Sequence, residues 1–461
     1  MTETESPGQV APVVEEFMTD WVSDNETPNA AVAVTDGDEV VYSGGFGVGG
    51  PEDDGSATGD TLFAFGSCAK PVTAVAVMQL VEAGEIDLDN PVSDYVPHLE
   101  DAPGEPITVE ELLTHTSGMV DNGVAVAIMA EELGVDDLAV ELETDGDFHD
   151  YVADSTDGRV TEREWFAYYN TGYILLGKVI EEVTGQSYEE YVEENVFAPL
   201  GMERSIFDPD EFDAADDRMT PYLEGADGLE ETGLPFNGIE APAGGLISSV
   251  EEMASIVRML AGSGTVDGTP VSDESAEAMK TPSATFGTYF DGTDLEYGYG
   301  LTIEEFLDDR LVAHPGGAEV GGAWFGYLEE EGLGVILACS TRPIPPMVAG
   351  KTLLALLGGE DPEEAVRVNR LMSRVQRAVG EYEGHKGVVT ATVEPTGAGL
   401  QLTIDHRLSE AEFLLVPDEV EDDALICTTT SPMGLRQEAI FEFGGDGDTL
   451  IYDRFGLEKV A

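Results

Sequence analysis

Three cysteines, Cys68, Cys339 and Cys427, are too few and too widely spaced for a disulfide framework or a zinc cluster, which suits a reducing interior. Cations are scarce as well: six lysines and fourteen arginines face 94 acidic residues. Without a basic stripe to neutralise phosphates, nucleic-acid binding is excluded. No apolar run approaches the roughly 20 residues that a membrane-crossing helix requires, so no membrane partner is expected. The opening MTETESPGQV has no basic n-region, no apolar h-region and no twin arginine, and the expected location is cytoplasmic. A Gly-x-Ser-x-Gly elbow is missing too, which argues against an α/β-hydrolase. AGKT at Ala349–Thr352 echoes a P-loop, but Pro345 stands where the first glycine belongs. GGDGDTL echoes a calcium repeat yet occurs once, and reads better as a hairpin turn.

What is abundant is negative charge. The formal net charge is −74, and the acids are spread along the whole chain. That distribution predicts a solvated surface adapted to high salt, where screening removes most of the self-repulsion. An acidic face for a basic partner is the competing reading, but it would concentrate charge in one region. A hydrophobic content of 42% is enough to build cores, and 461 residues predict two or three structural units.

Periodicity organises the chain. Val10 to Val22 reads as a helix. AAVAVTDGDEVVYSGGFGV places two β-rich runs around Asp36-Gly37, a hairpin pattern. NTGYILLGKVIEEVTG (Asn170 to Gly185) and SSVEEMASIVRMLAGSG (Ser248 to Gly264) are helices that stop at glycine. AWFGYLEEEGLGVILACS (Ala323 to Ser340) reads as two adjacent strands, the second buried. The acidic, weakly periodic stretch from Asp121 to Glu164 is expected to be a loop-rich lid. After GGEDPEEA, a short helix carries four arginines, and from Gly380 short strand-like runs predict a small antiparallel barrel or sandwich. The predicted domains are 1–358, a linker helix over 359–379, and a β-rich unit over 380–461.

One lysine stands out. FGSCAKPVTAVAVMQL puts Lys70 three residues after Ser67 at the start of an apolar helix. Residues three apart share a helix face. Burial of that face would lower the lysine pKa and leave a neutral amine to take the serine proton. A helix-capping serine followed by a surface lysine is also an ordinary pattern. No other lysine in the chain has a serine or threonine three residues before it. Cys68, beside the serine, is expected to be a small packed residue. Tyr168-Tyr169-Asn170 precedes a helix, and a tyrosine near a cationic lysine can have a lowered pKa and act as base or proton relay. Asn170 can cap that helix, or hold Lys70 and a substrate carbonyl. HPGG, His314 to Gly317, precedes a strand, and its glycines would let a substrate backbone approach the strand edge. His115, in THTSG, reads as part of a helix-ending turn. Gly244 and Gly245 read as tight-packing positions near the site.

The ordered set Ser-x-x-Lys, Tyr-x-Asn, His-x-Gly resembles the serine β-lactamase and penicillin-binding-protein superfamily, on its class C and DD-peptidase-like branch. ITVEELLTHTSGM and APAGGLISSVEEMASIVRML extend the likeness across roughly Ala30 to Ser340. The resemblance implies an α/β (α+β) fold, in which an antiparallel sheet flanked by helices lies beside an all-α cluster with the site between them. It implies Ser67 as acylated nucleophile, Lys70 as its proton partner, Tyr168 as general base and Asn170 as a substrate contact. The backbone N–H groups of Ser67 and Gly317 would form an oxyanion hole, with Gly316 beside it, and His314 would take the place of the lysine in Lys-Thr-Gly. Neither metal nor cofactor is implied. VGEYEGHKGVVTATVEPTGAGLQLTI resembles the lipocalin-like C-terminal domain of some prokaryotic relatives, which points to a barrel and to homo-oligomer assembly.

Departures from the pattern narrow the expected chemistry. His314 and Pro315 replace a lysine and a hydroxyl residue, so the carboxylate clamp of β-lactamases is lost. The sequence therefore predicts a serine hydrolase acting through an acyl-enzyme on a small peptide, D-residues included, or a carboxylic ester. The alternatives are a β-lactamase with the same mechanism and a non-hydrolytic binding protein on the same fold.

Overall fold

The computed structural model describes residues 7–47, 57–100, 102–135, 142, 144–160, 165–225, 228–262, 269–341, 345–397, 399–406, 408–431, 433–445 and 447–460. Two compact units result, one of Met1–Gly287 with Leu295–Gly359, the other of Thr288–Asp294 with Glu360–Ala461.

The first unit is built on an eight-stranded antiparallel sheet. Its order is Glu39–Gly47, Asn29–Asp36, Leu333–Cys339, Gly321–Leu328, Asp309–Ala318, Thr302–Phe306, Asp294–Tyr297 and Ala284–Thr288. The central strands are continuously apolar because both faces are covered. Every residue of Gly321–Leu328 and of Leu333–Cys339 is buried. On one face, Gly322 and Trp324 lie against Pro346 and Gly350 of the Pro346–Leu357 helix. Tyr327 has the opposite parity and pairs with Gly334, which lies against Val257 of the Val250–Leu260 helix. Helices thus flank both faces, as the sequence pattern predicts.

Beside the sheet sits the helical cluster. Its centre is the Ala69–Glu82 helix, apolar around its circumference and buried from Ala69 through Met78. The Asn170–Thr184 and Tyr188–Val192 helices pack on it, and Val109–Leu113 and Val124–Glu132 pack on Asn170–Thr184.

The expected loop-rich lid over 121–164 is not what forms among its described residues. Val124–Glu132 and Asp145–Ser155 are helices. The first buries Val124, Ala125 and Ile128. The second starts on a capping box between Thr144 and Asp147 and buries Phe148 and Val152. The acids that blur the apolar period sit on the outer faces.

In the second unit, the Arg367–Ala378 helix leads into eight strands that each pair antiparallel with the next. Gly380–Glu383 pairs with Phe455–Lys459 through Tyr382–Lys459 and Glu383–Glu458, so the barrel closes and no edge is left open. Alternate residues point inward, such as Leu400, Leu402 and Ile404 on one strand and Ala439, Phe441 and Phe443 on another. Those side chains, with Val375 and Ala378 of the helix, form a filled core. The four arginines of the helix are not a cationic patch: Arg367, Arg370, Arg374 and Arg377 pair with Asp291, Asp422, Glu364 and Asp448. No helix among the described residues is long and apolar enough to cross a membrane.

Candidate active site

Gly66 ends a short buried strand, Phe63–Gly66, with φ of +53°, a left-handed turn that favours glycine. The turn exposes Ser67, half-buried between buried neighbours, and the helix begins at Ala69. The Phe63–Gly66 strand lies against the Asp309–Ala318 strand. A Cβ on Gly66 would come 2.6 Å from the Gly317 nitrogen, and one on Gly316 would come 1.9 Å from the Phe65 carbonyl oxygen. Glycine at 316 is what permits this approach, and it brings the backbones of Gly66 and Gly317 side by side.

Lys70 is fully buried, and its Nζ has three neighbours. They are Ser67 Oγ at 3.0 Å, Asn170 Oδ1 at 2.9 Å and the Ala243 carbonyl at 2.6 Å. It also lies 4.8 Å from the Tyr168 ring centroid. Burial drives its pKa from 10.5 down to about 7, against the pull of Glu240, Asp121 and Cys68. A neutral amine has two N–H groups and one lone pair. Asn170 Oδ1 and the Ala243 carbonyl can only accept, so they take the two hydrogens and the lone pair is left for the Ser67 hydroxyl.

Tyr168 is half-buried and hydrogen-bonded to Ser67, with burial raising its pKa far above 10.0. The lowered tyrosine pKa expected from the sequence is not found, because desolvation, with Cys68 and Asp121 acting in the same sense, outweighs the Ser67 hydrogen bond. Asn170 is the first residue of its helix and its side chain serves Lys70. Its own N–H is capped by Asp121 Oδ2 at 3.0 Å, while Asp121 Oδ1 accepts from Gly123 N–H at 2.7 Å.

His314 is buried, with Nδ1 2.6 Å from the Pro315 carbonyl and Nε2 3.1 Å from the Tyr297 hydroxyl. Burial and Lys70 push its pKa down to about 3, so the ring is neutral. It brings no charge to the site. Cys68 is buried against the His314 carbonyl, and burial raises its thiol pKa, as a packed, unreactive residue requires.

Sequence reasoning put His115 in a helix-ending turn, where it stands, without foreseeing its contacts, and passed over Glu240 and Asp121. His115 follows the Val109–Leu113 helix at φ +58°, accepts the Tyr169 N–H on Nδ1 at 3.0 Å, and packs its ring 4.4 Å from that of Tyr168. Glu240 is buried, has no hydrogen-bond partner on Oε2 among the described residues, and has its pKa raised by burial to about 8. Asp121, in DNG, reads as a simple turn. Only Asp121 had a local pattern to find; Glu240 is one acid among 94.

A helical cluster beside a helix-flanked antiparallel sheet, with the Ser67 turn against the central Asp309–Ala318 strand, defines the class of serine β-lactamases and penicillin-binding proteins. Residues 10–359 match the Beta-lactamase family, and the chain belongs to it. Residues 362–458 match the Pab87 octamerisation domain, which is how the barrel expected to be lipocalin-like is now described. Penicillin-binding protein 4 of Amycolatopsis lactamdurans is 30% identical over 337 residues, 69% of this chain and 82% of that one. The octameric penicillin-binding protein homologue from Pyrococcus abyssi aligns with a TM-score of 0.85 at 32% identity, over 98% of this chain and 100% of that one. A D-stereospecific amidohydrolase from Streptomyces sp. shares the fold, with a TM-score of 0.60 at 21% identity over 75% of this chain and 97% of that one.

Proposed function

We propose that this member of a serine hydrolase family forms an acyl-enzyme on Ser67 and hydrolyses small peptide amides, D-residues included, or carboxylic esters. The observation that carries this reading is the buried Lys70 amine, its lone pair left for Ser67 Oγ at 3.0 Å. Lys70 takes the Ser67 proton as Oγ bonds to the substrate carbonyl carbon, and the carbonyl electron pair moves onto oxygen. The N–H groups of Ser67 and Gly317 hold that oxyanion. Collapse breaks the bond to the leaving group, which departs with the proton returned from Lys70 through the Tyr168 phenol. Water then attacks the acyl-Ser67 ester with the same groups in reverse. Tyr168 is here a neutral relay and Lys70 the base, the reverse of the roles the resemblance implies, because burial raises one pKa and lowers the other.

The neutral His314 favours a peptidase or esterase over a β-lactamase, since a neutral imidazole offers no ion pair to a β-lactam carboxylate. Assembly into a homo-oligomer through the C-terminal barrel is supported by the octamerisation-domain match and the octameric relative. The test is hydrolysis of p-nitrophenyl butyrate in multimolar KCl by wild type and Ser67→Ala, with intact-mass detection of the acylated protein. Turnover and acylation should both disappear in the variant. Undiminished hydrolysis by folded Ser67→Ala would overturn the proposal.

A further inference from the structure

Of eighteen phenylalanines and three tryptophans, only Phe286 and Trp165 are exposed, at 38% and 40%. Leaving part of such side chains in water forgoes some of the stabilisation that full burial gives. Phe286 packs beside Tyr168. Trp165 is three residues ahead of Tyr168 in the chain. The Phe286 ring is 6.1 Å from that of Tyr168 and 5.1 Å from that of Phe166, and Phe166 is 5.5 Å from Tyr297. A continuous run of rings therefore leads from the Ser67 neighbourhood to the surface along the Tyr168 flank.

Which part of a substrate meets that run follows from the proton path. If Tyr168 delivers the proton to the leaving atom, the leaving atom lies against its hydroxyl. The substrate beyond that atom then runs along Tyr168 toward Phe286. His314, where a cation would grip a carboxylate, is neutral. We propose that Phe286, with Phe166 and Trp165, forms an apolar subsite for an aromatic or bulky hydrophobic group on the leaving side of the substrate. This rests on the acyl-enzyme reading above and names the substrate class of that same site. Apolar contact replaces charge as the means of recognition.

The test compares butyryl thioesters of benzyl mercaptan and of propanethiol, followed by thiol release, in wild type, Phe286→Ala and Phe286→Leu. Comparing the benzyl-to-propyl ratio of kcat/KM between proteins cancels the intrinsic reactivity of the two thiols. That ratio should fall about tenfold in Phe286→Ala and stay mostly intact in Phe286→Leu. A parallel series with one thiol and acyl chains from acetyl to hexanoyl should keep its internal ratios in Phe286→Ala. An unmoved benzyl-to-propyl ratio, with turnover still dependent on Ser67, would overturn the subsite alone. A shift in the acyl series instead would overturn the leaving-side assignment. Absence of turnover and of acyl-Ser67 in wild type would overturn the acyl-enzyme reading and this proposal with it.

Discussion

The Tyr297 hydroxyl donates a hydrogen bond to His314 Nε2 across 3.1 Å, a contact that the neutral ring accepts. The Pro315 carbonyl at Nδ1 can only accept, so Nδ1 carries the proton and Nε2 is left as acceptor. Burial raises the Tyr297 pKa well above its usual value, so the phenol keeps its proton. Both ring nitrogens are satisfied in the neutral form.

A neutral His314 predicts indifference to a free carboxylate. For a matched peptide pair that differs only in a C-terminal carboxylate or carboxamide, kcat/KM of the amide should equal or exceed that of the acid. Measured at several salt concentrations, a tenfold preference for the acid would show that a cation grips it.

Lys70 sets the pH dependence. Only its neutral form has a lone pair for Ser67, so kcat/KM should rise with pH through about 7. Lys70→Arg, which cannot deprotonate, should lose about 10²–10⁴-fold at every pH. The same depression bears on stability. Between about pH 7 and 10.5 the unfolded chain binds a proton that the native amine has released, so this group makes stability rise with pH across that window. A flat pH–rate profile in the wild type would contradict the assignment of Lys70 as base.

Glu240 acts on Lys70 through its charge. Ionised, it raises the lysine pKa, and with its own carboxyl raised to about 8 it ionises only toward the top of the rising limb of kcat/KM, so Glu240→Gln should move that upper part to lower pH. Its own carboxyl, raised from 4.5 to about 8, works in the opposite sense on stability. The native state holds a proton that the unfolded state loses across that window, so stability from this group falls as pH rises. The gain in stability of Glu240→Gln over wild type should therefore grow from pH 5 to pH 8, as read by chemical denaturation. An unshifted limb would remove Glu240 from the site's electrostatics.

Gly316 admits no side chain. An alanine Cβ would lie 1.9 Å from the Phe65 carbonyl oxygen and 2.9 Å from Cys68 Sγ, so the strand must move away from the nucleophile turn. Gly316→Ala should destabilise by about 1–3 kcal/mol and lower kcat more than it raises KM. Thermal unfolding and steady-state kinetics read the two effects, and a variant with wild-type kcat would dissociate Gly316 from the alignment of Ser67.

The barrel carries apolar side chains outward. Leu414 and Val416 on the Glu410–Val420 strand are 47% and 46% exposed. If copies assemble through this domain, these residues are suited to the contact, because two acidic surfaces need apolar area to meet. Leu414→Glu combined with Val416→Glu should reduce the mass seen by light scattering in high KCl. An unchanged oligomer would move the interface to another face.

The Ser67–Lys70 spacing, the Asp36-Gly37 hairpin, the glycine stop at Gly185 and the run of short strands after Gly380 were legible because each is decided within a few residues by helix pitch, strand alternation or glycine's freedom at positive φ. The acid-rich helices of 121–164 were not, because their apolar faces are short and interrupted and only packing, of Val124–Glu132 on the Asn170–Thr184 helix and of Asp145–Ser155 on the Pro97–Leu99 turn, shows which face turns inward. The order of the three motifs named the family, but the chemistry of the site came from distance along the chain. Lys70 finds its acceptors 100 and 173 residues away, and Cys68 finds the His314 carbonyl 246 residues away. Sequence alone determined which groups could react. Tertiary structure decided their charges, because desolvation depends on what packs around a side chain, and that is assembled from segments no local pattern connects.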